Sequence, residues 1–262
     1  MEMSYYLPEE ILPFKDQLID SKTEFIEIEP VEEDGLKLWN SKFGGEPYLP
    51  KDTEFPCTPE GEQLFFLAQI NFAEIPAMPP FPDKGIVQFY IYDDFDFGQN
   101  DDDLFDQEKF RVLFFPEVVE DEAQLKTDFS DLREYEELPV YAENCFKMVF
   151  EKANEIVPVT DIGFKKHFSE DFFEQFGDAK WDVYGMYNES VSSEGHKIGG
   201  YAHFAQTDPR TEEEPMLLLF QMDTDVEIES MWGDMGTANF FISEEDLIKK
   251  DFSRIMYHWD CH

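Results

Sequence analysis

Lys197-Ile198-Gly199-Gly200, Met216-Leu217-Leu218-Leu219-Phe220-Gln221, Gly236-Thr237-Ala238-Asn239-Phe240-Phe241-Ile242 and Arg254-Ile255-Met256-Tyr257 follow one another toward the end of the chain. The same kinds of block occur earlier, in the same order: Lys42-Phe43-Gly44-Gly45, Leu64-Phe65-Phe66-Leu67-Ala68-Gln69, Gly85-Ile86-Val87-Gln88-Phe89-Tyr90-Ile91 and Arg111-Val112-Leu113-Phe114-Phe115. Such ordered self-similarity predicts a repeated structural unit. A glycine pair permits a tight, left-handed backbone. The Leu/Phe block has the length and apolarity of a buried central strand. The third block is a Gly-led turn into an aromatic-rich strand, and the fourth is another strand. Two such units, about 38–120 and 193–262, predict an α+β fold of mostly antiparallel sheet. Neither unit covers its own apolar strands, so the whole of 1–262 reads as one compact domain.

Outward from the repeats the signals are shorter. Pro8, Glu9 and Glu10 followed by Ile11, Leu12, Leu18 and Ile19 predict an opening helix over 8–20. The connecting insert, 121–192, starts acidic and polar, read as helix plus loop over 121–137. Phe146, Met148 and Phe150 alternate with polar residues as a strand does. Ser169 to Gly177 reads as a short helix with a Ser cap and a Gly stop. Ser243-Glu244-Glu245-Asp246 resembles a capping box.

Composition narrows the functions. Sixty Asp and Glu face 20 Lys and Arg, a formal net charge of −40. That charge repels nucleic acid and anionic membrane surfaces and attracts a basic protein or a cation. Acidity also serves solubility alone. Cys57, Cys145 and Cys261 are an odd, widely spaced set with no CxxC, which fits a reducing, cytoplasmic setting. Residues 1–14 have neither the basic nor the apolar region of a signal peptide, and no apolar run is long enough to span a bilayer. GxSxG, GxGxxG, Walker A and HExxH patterns are absent. The reading therefore leans away from an enzyme, with no cofactor, no metal ligand set and no oligomeric state assigned.

Candidate ligand-binding residues lie at strand ends. Asp223 and Asp225 are two apart, so an extended chain projects both to one face, where Asp234 could join them around a cation; the alternative is an Asp-rich turn capping its own backbone. Gln69 and Gln221 interrupt apolar runs, either to fix strand register through backbone hydrogen bonds or to meet a ligand between the units. Asp208 and Arg210 offer an anion clamp or a turn. The acidic stretch 93–108 lacks the frame of an EF-hand and reads as a solvated, mobile loop. Its Asp94, Phe95, Asp96, Phe97, Asp102 and Phe105 are candidate partner contacts. His258-Trp259-Asp260-Cys261-His262 has metal-ligand chemistry without metal-site spacing.

The runs KFGGEPYLP (42–50), LAQINFAEIP (67–76), KIGGYAHFAQTDPR (197–210), LLLFQMDTD (217–225), WGDMGTANFFI (232–242) and DFSRIMYHWDC (251–261) resemble the YwqG family of Bacillus and related bacteria, over nearly the whole chain. The resemblance implies an α+β, mostly antiparallel fold and no defined chemistry, since that family is one of unknown function. The genes of such proteins often neighbour secreted-toxin systems, so the resemblance also implies an immunity or accessory role. Three readings are carried forward: an acidic binding protein that masks a basic partner, a small-ligand or divalent-metal enzyme with its site between the units, and an acidic housekeeping protein with no tight site.

Overall fold

A computed structural model describes residues 7–262. Ten strands form a single sheet: β1 (Thr23–Val31), β2 (Lys42–Gly44), β3 (Phe65–Asn71), β4 (Ile86–Ile91), β5 (Phe110–Phe115), β6 (Cys145–Glu155), β7 (Lys197–Gly199), β8 (Leu217–Asp223), β9 (Thr237–Ile242) and β10 (Met256–Asp260). Their order is β10-β9-β8-β7-β1-β6-β2-β3-β4-β5, and every pairing is antiparallel. The two four-strand units predicted from sequence are therefore β2–β5 and β7–β10. They sit on opposite flanks of a central ribbon, β1 paired with β6 over nine residues.

The units match in detail. In β3/β4 the register slips between Phe66 and Ala68; in β8/β9 it slips between Leu218 and Phe220. An extra residue at one point of a strand bends it and tightens its twist. Two such bends, one on each flank, curl the sheet into a nearly closed barrel. Rings from the two units then meet inside it. Phe89 of β4 lies 4.7 Å from both Phe220 of β8 and Phe240 of β9, and Phe110 of β5 lies 5.1 Å from Tyr257 of β10. Each fully buried ring of this kind stabilises the fold by roughly 1.5–3 kcal/mol. β3, β4 and β9 are buried on both faces, because loops over 38–56 and 201–216 cover their outer sides. A continuous apolar strand without alternation is the sequence consequence.

The stretch 93–108 is folded, not a free loop. Leu104 O accepts from Tyr257 N–H at 2.9 Å, Gln99 Oε1 from Trp259 N–H at 2.6 Å, and Asp96 O from the Trp259 indole at 2.7 Å. These bonds satisfy the outer edge of β10, which would otherwise be an unpaired strand edge. The insert that lengthens the first unit is thus the strap that closes the barrel.

Helices are few and pack apart. A 3₁₀ turn over Leu12–Phe14 precedes α1 (Lys15–Asp20), so the opening helix predicted over 8–20 starts later, with Pro13 in the turn. α2 (Phe164–His167), a 3₁₀ segment Phe172–Ala179 and α3 (Lys180–Ser190) join α1 around Ile11, Leu18, Phe164, Phe172, Val183 and Tyr187. Ser169 is not the cap: Asp171 flanks the 3₁₀ segment, and Gly177 turns left-handed inside it. Over 121–137 the only helix is the turn Glu122–Gln124. α4 (Glu244–Lys249) opens as predicted, with Ser243 Oγ accepting from Asp246 N–H. Among the described residues no helix is long and apolar enough to cross a membrane.

Candidate functional site

Gln69 and Gln221 are wholly buried and anchor the loops over their own units. The Gln69 amide donates to Leu38 O and Asn40 O, both at 2.7 Å, and its oxygen accepts from Tyr48 N–H at 2.9 Å. The Gln221 amide donates to Ser193 O and Gly195 O, both at 2.8 Å, and its oxygen accepts from His203 N–H at 2.8 Å. A buried amide saturated by backbone in this way fixes a loop to a strand. The two glutamines belong to separate hubs, one on each flank of the barrel.

Asp223 and Asp225 come together at the end of β8 and share His196. Asp223 N–H donates to His196 Nδ1 at 3.0 Å, so the ring hydrogen resides on Nε2, which faces Asp225 Oδ2 at 3.2 Å. That contact outweighs partial burial, which acts to raise the carboxyl, and holds Asp225 below its ordinary range. The Asp223 carboxylate accepts from Gly195 N–H at 2.6 Å, Thr224 N–H at 2.8 Å and the Thr237 hydroxyl at 2.5 Å. Asp234 is exposed and elsewhere, its carbonyl accepting from His262 N–H. Among the described residues no group of three or more His, Cys, Asp or Glu is placed to hold a metal ion.

Asp208 and Arg210 also meet, but around an internal partner. Arg210 donates to both Asp208 oxygens at 2.9 and 2.7 Å and to Asp161 at 2.6 Å. Burial pulls the guanidinium pKa down, yet the two carboxylates outweigh it and hold it above its usual value. Nearby, Lys197 is 1% exposed and pairs with Glu155 of β6 at 2.9 and 3.2 Å. Burial drives both toward their neutral forms, raising Glu155 and lowering Lys197, while each partner opposes the shift in the other. Burial, reinforced by Asp161 and Glu155, also raises Tyr201.

Beside this cluster the outer face of the central ribbon is open. Glu27 of β1 stands directly opposite Glu151 of β6. With Glu29, Glu194 and Asp225 they line a groove of about 460 Å³ that also exposes Phe25, Pro30 and Val149 and holds no Lys or Arg. Like charges facing each other across a strand pair are destabilising, and a cation placed between them relieves the repulsion.

The candidate partner contacts of the strap divide. Phe95 is 81% exposed and Asp102 is exposed. Phe97 packs on Trp232 and Trp259 at 5.6 and 4.9 Å, and Phe105 lies under the Arg254 guanidinium at 3.8 Å. Asp94 accepts from Gly98 N–H and Lys109, while Asp96 lines a shallow acidic hollow with Asp102 and Asp106. The sequence reading missed Glu27, Glu29, Glu151, Glu155 and Asp161, and weighed His196 only as a possible metal ligand beside the C-terminal residues. A signal was present: Thr23-Glu24-Phe25-Ile26-Glu27-Ile28-Glu29 alternates as a half-exposed strand does.

No curated protein matches the chain. A family defined only as a domain of unknown function, DUF1963, matches residues 41–261, which takes in both four-strand units and the insert between them. The chain therefore belongs to the DUF1963 family.

Proposed function

We propose that the protein binds a basic partner segment, and that the groove over Glu27 and Glu151 is its anchor. The observation that carries this reading is the cross-strand Glu27–Glu151 pair, set in a groove with three more carboxylates and an apolar floor. A Lys or Arg side chain laid there gains two carboxylates and covers Phe25 and Val149. The net charge of −40 adds long-range attraction that raises the encounter rate. The reading extends to the finer identity: a YwqG-like member, acting in the cytoplasm with its three cysteines reduced, whose two units arose by duplication. Masking a basic toxin is the form of this activity that the resemblance suggests.

The probe is a lysine-rich peptide of about a dozen residues, titrated at about 0.15 M salt so that diffuse attraction is screened beyond roughly 8 Å. Saturable one-to-one binding is expected, weakened at least tenfold by Glu27→Gln with Glu151→Gln. The control is Glu9→Gln with Glu10→Gln, which removes the same charge from exposed positions elsewhere. Equal weakening by both double variants would overturn the groove.

A further inference from the structure

The seam between the helical insert and the second unit is not sealed. A hollow of about 320 Å³ lies between α2 and the stretch 200–217, within the roughly 300–1,000 Å³ common for small-molecule sites. Acids outnumber bases by 60 to 20 in this chain, yet this hollow gathers bases. Lys166 and His167, at the end of α2, border it, and neither side chain has an ion pair or hydrogen bond among the described residues. Buried Arg210 also lines it. Of the five N–H groups of a guanidinium, Asp208, Asp161 and Met216 O take all but one, an N–H on Nη1. The Asp161 oxygens in the wall are already occupied by Arg210, Gly163 N–H and Ala202 N–H. A second hollow of about 320 Å³ shares Thr23, Gly200 and Leu217 with the first. It is bordered by Lys22, which has no ion pair among the described residues, and by apolar Met78, Pro80 and Phe81. Donors around a cavity that lack an acceptor in the protein call for one from outside.

We propose that the two adjoining hollows bind a small monocarboxylate with an aliphatic tail, a site separate from the Glu27–Glu151 groove and opposite to it in charge preference. The head sits in the first hollow, between Lys166, His167 and the spare Arg210 N–H. The tail crosses Leu217 into the second hollow and covers Phe81. Three observations select this class. The net charge of −40 repels an anion in proportion to the ligand's own charge, and exposed Glu212 at the first hollow opposes a second negative charge, so a monoanion is favoured over a phosphate or nucleotide. The Tyr201 hydroxyl in the wall already donates to Ser21 O at 2.6 Å, which leaves its ring facing a ligand. The second hollow offers side chains of Met78, Pro80 and Phe81 that gain by covering methylenes rather than polar groups.

The test titrates the full chain with octanoate, below the concentration at which it self-associates, by calorimetry at pH 7 and about 0.15 M salt, where charge attraction is screened beyond roughly 8 Å. Saturable one-to-one binding is expected. Octanamide, which keeps the tail and lacks the charge, should bind at least fivefold more weakly. Butyrate, which keeps the charge and shortens the tail, should bind at least tenfold more weakly. Lys22→Gln with Lys166→Gln, both at exposed positions, should weaken octanoate at least fivefold. Lys126→Gln with Lys250→Gln removes the same charge away from the seam and should leave octanoate binding unchanged. Absence of saturable octanoate binding, octanamide or butyrate binding as tightly as octanoate, or equal weakening by the two double variants would each overturn the proposal. None of these outcomes bears on the lysine-rich peptide, which is read at Glu27 and Glu151.

Discussion

The two four-strand units share their backbone engineering and differ in their charges. Both fold a loop onto the sheet through a buried glutamine that holds two carbonyls and one N–H. Both bend at the same point of the second strand. Yet Lys197 is paired with a buried carboxylate while Lys42 donates only to the backbone carbonyls of Lys37 and Leu38. Strand geometry tolerates few solutions, whereas a buried charge can be handled locally in several ways. The difference is a set of paired experiments in which one substitution is made in each unit.

The largest contrast is expected from the lysines. Lys197→Met strands a buried Glu155 carboxylate, and breaking such a pair typically costs about 3–5 kcal/mol. Lys42→Met removes a buried ammonium with no carboxylate in an ion pair with it among the described residues and should be neutral or stabilising at pH 7. Burial, partly offset by Cys145, Glu46 and Glu74, lowers Lys42 from 10.5 to about 8. Between pH 8 and 10.5 the unfolded chain therefore binds the proton that the folded chain has released. Unfolding free energy must rise with pH across that window, by roughly 3 kcal/mol in all at about 1.4 kcal/mol per unit. Below pH 8 the penalty is fully present. Chemical denaturation of wild type and Lys42→Met across the window isolates this slope; parallel curves would show that Lys42 is not the group responsible.

Next in size are the second glycines. Gly200→Ala places a methyl 2.0 Å from Glu155 Oε1 and forces apart the pair with Lys197, on top of a left-handed strain of about 1–2 kcal/mol. Gly45→Ala meets a cysteine side chain at 2.5 Å, which can turn toward solvent. Gly200→Ala should cost more by at least about 2 kcal/mol, since part of the buried pair is lost with it. Equal losses by thermal unfolding would mean that Glu155 moves as freely as Cys145.

The glutamines should separate less. Gln69→Leu leaves Asn40 O and Tyr48 N–H without a partner, while Leu38 O keeps the Lys42 ammonium and the Gln88 amide keeps Tyr48 O. Gln221→Leu leaves three groups without one: Ser193 O, Gly195 O and His203 N–H. At about 1–3 kcal/mol for each unsatisfied buried group, both are severe and Gln221→Leu is the worse.

How much of this was legible in the chain depended on range. The repeated strands, their order and the serine-capped α4 were readable because each rests on a local pattern: an apolar run, a glycine pair, a cap. The strap was misread because its acids suggested solvent. What fixes it is Trp259 and Tyr257, some 150 residues away in β10, with no local trace in 93–108. The groove escaped for a related reason. Glu27 and Glu151 become neighbours only when β1 pairs with β6, and that pairing spans over a hundred residues. Asp208 and Arg210 read as an anion clamp or a turn; that Arg210 holds Asp208 itself, together with Asp161 some fifty residues earlier, carries no motif.

The smallest expected effect is the sharpest probe of how alike the units are. In the first unit Tyr90 OH donates to Gln88 Oε1 at 2.9 Å. The corresponding residues in the second are Phe241 and Asn239, as the registers with β3 and β8 show. Phe241 has no hydroxyl, and Asn239 Oδ1 is buried without a hydrogen-bond partner. Tyr90→Phe should therefore destabilise by about 1–3 kcal/mol, the usual result of orphaning a buried acceptor. Phe241→Tyr should do the reverse and gain up to about 1 kcal/mol, provided the added oxygen reaches Asn239 from a ring already stacked under Arg210 at 4.8 Å. A gain from Phe241→Tyr that disappears in Asn239→Leu would show that the second unit lacks only the donor. A loss from Phe241→Tyr in both backgrounds would show that the Arg210 cluster has repacked this corner, and that the likeness of the units ends at β9.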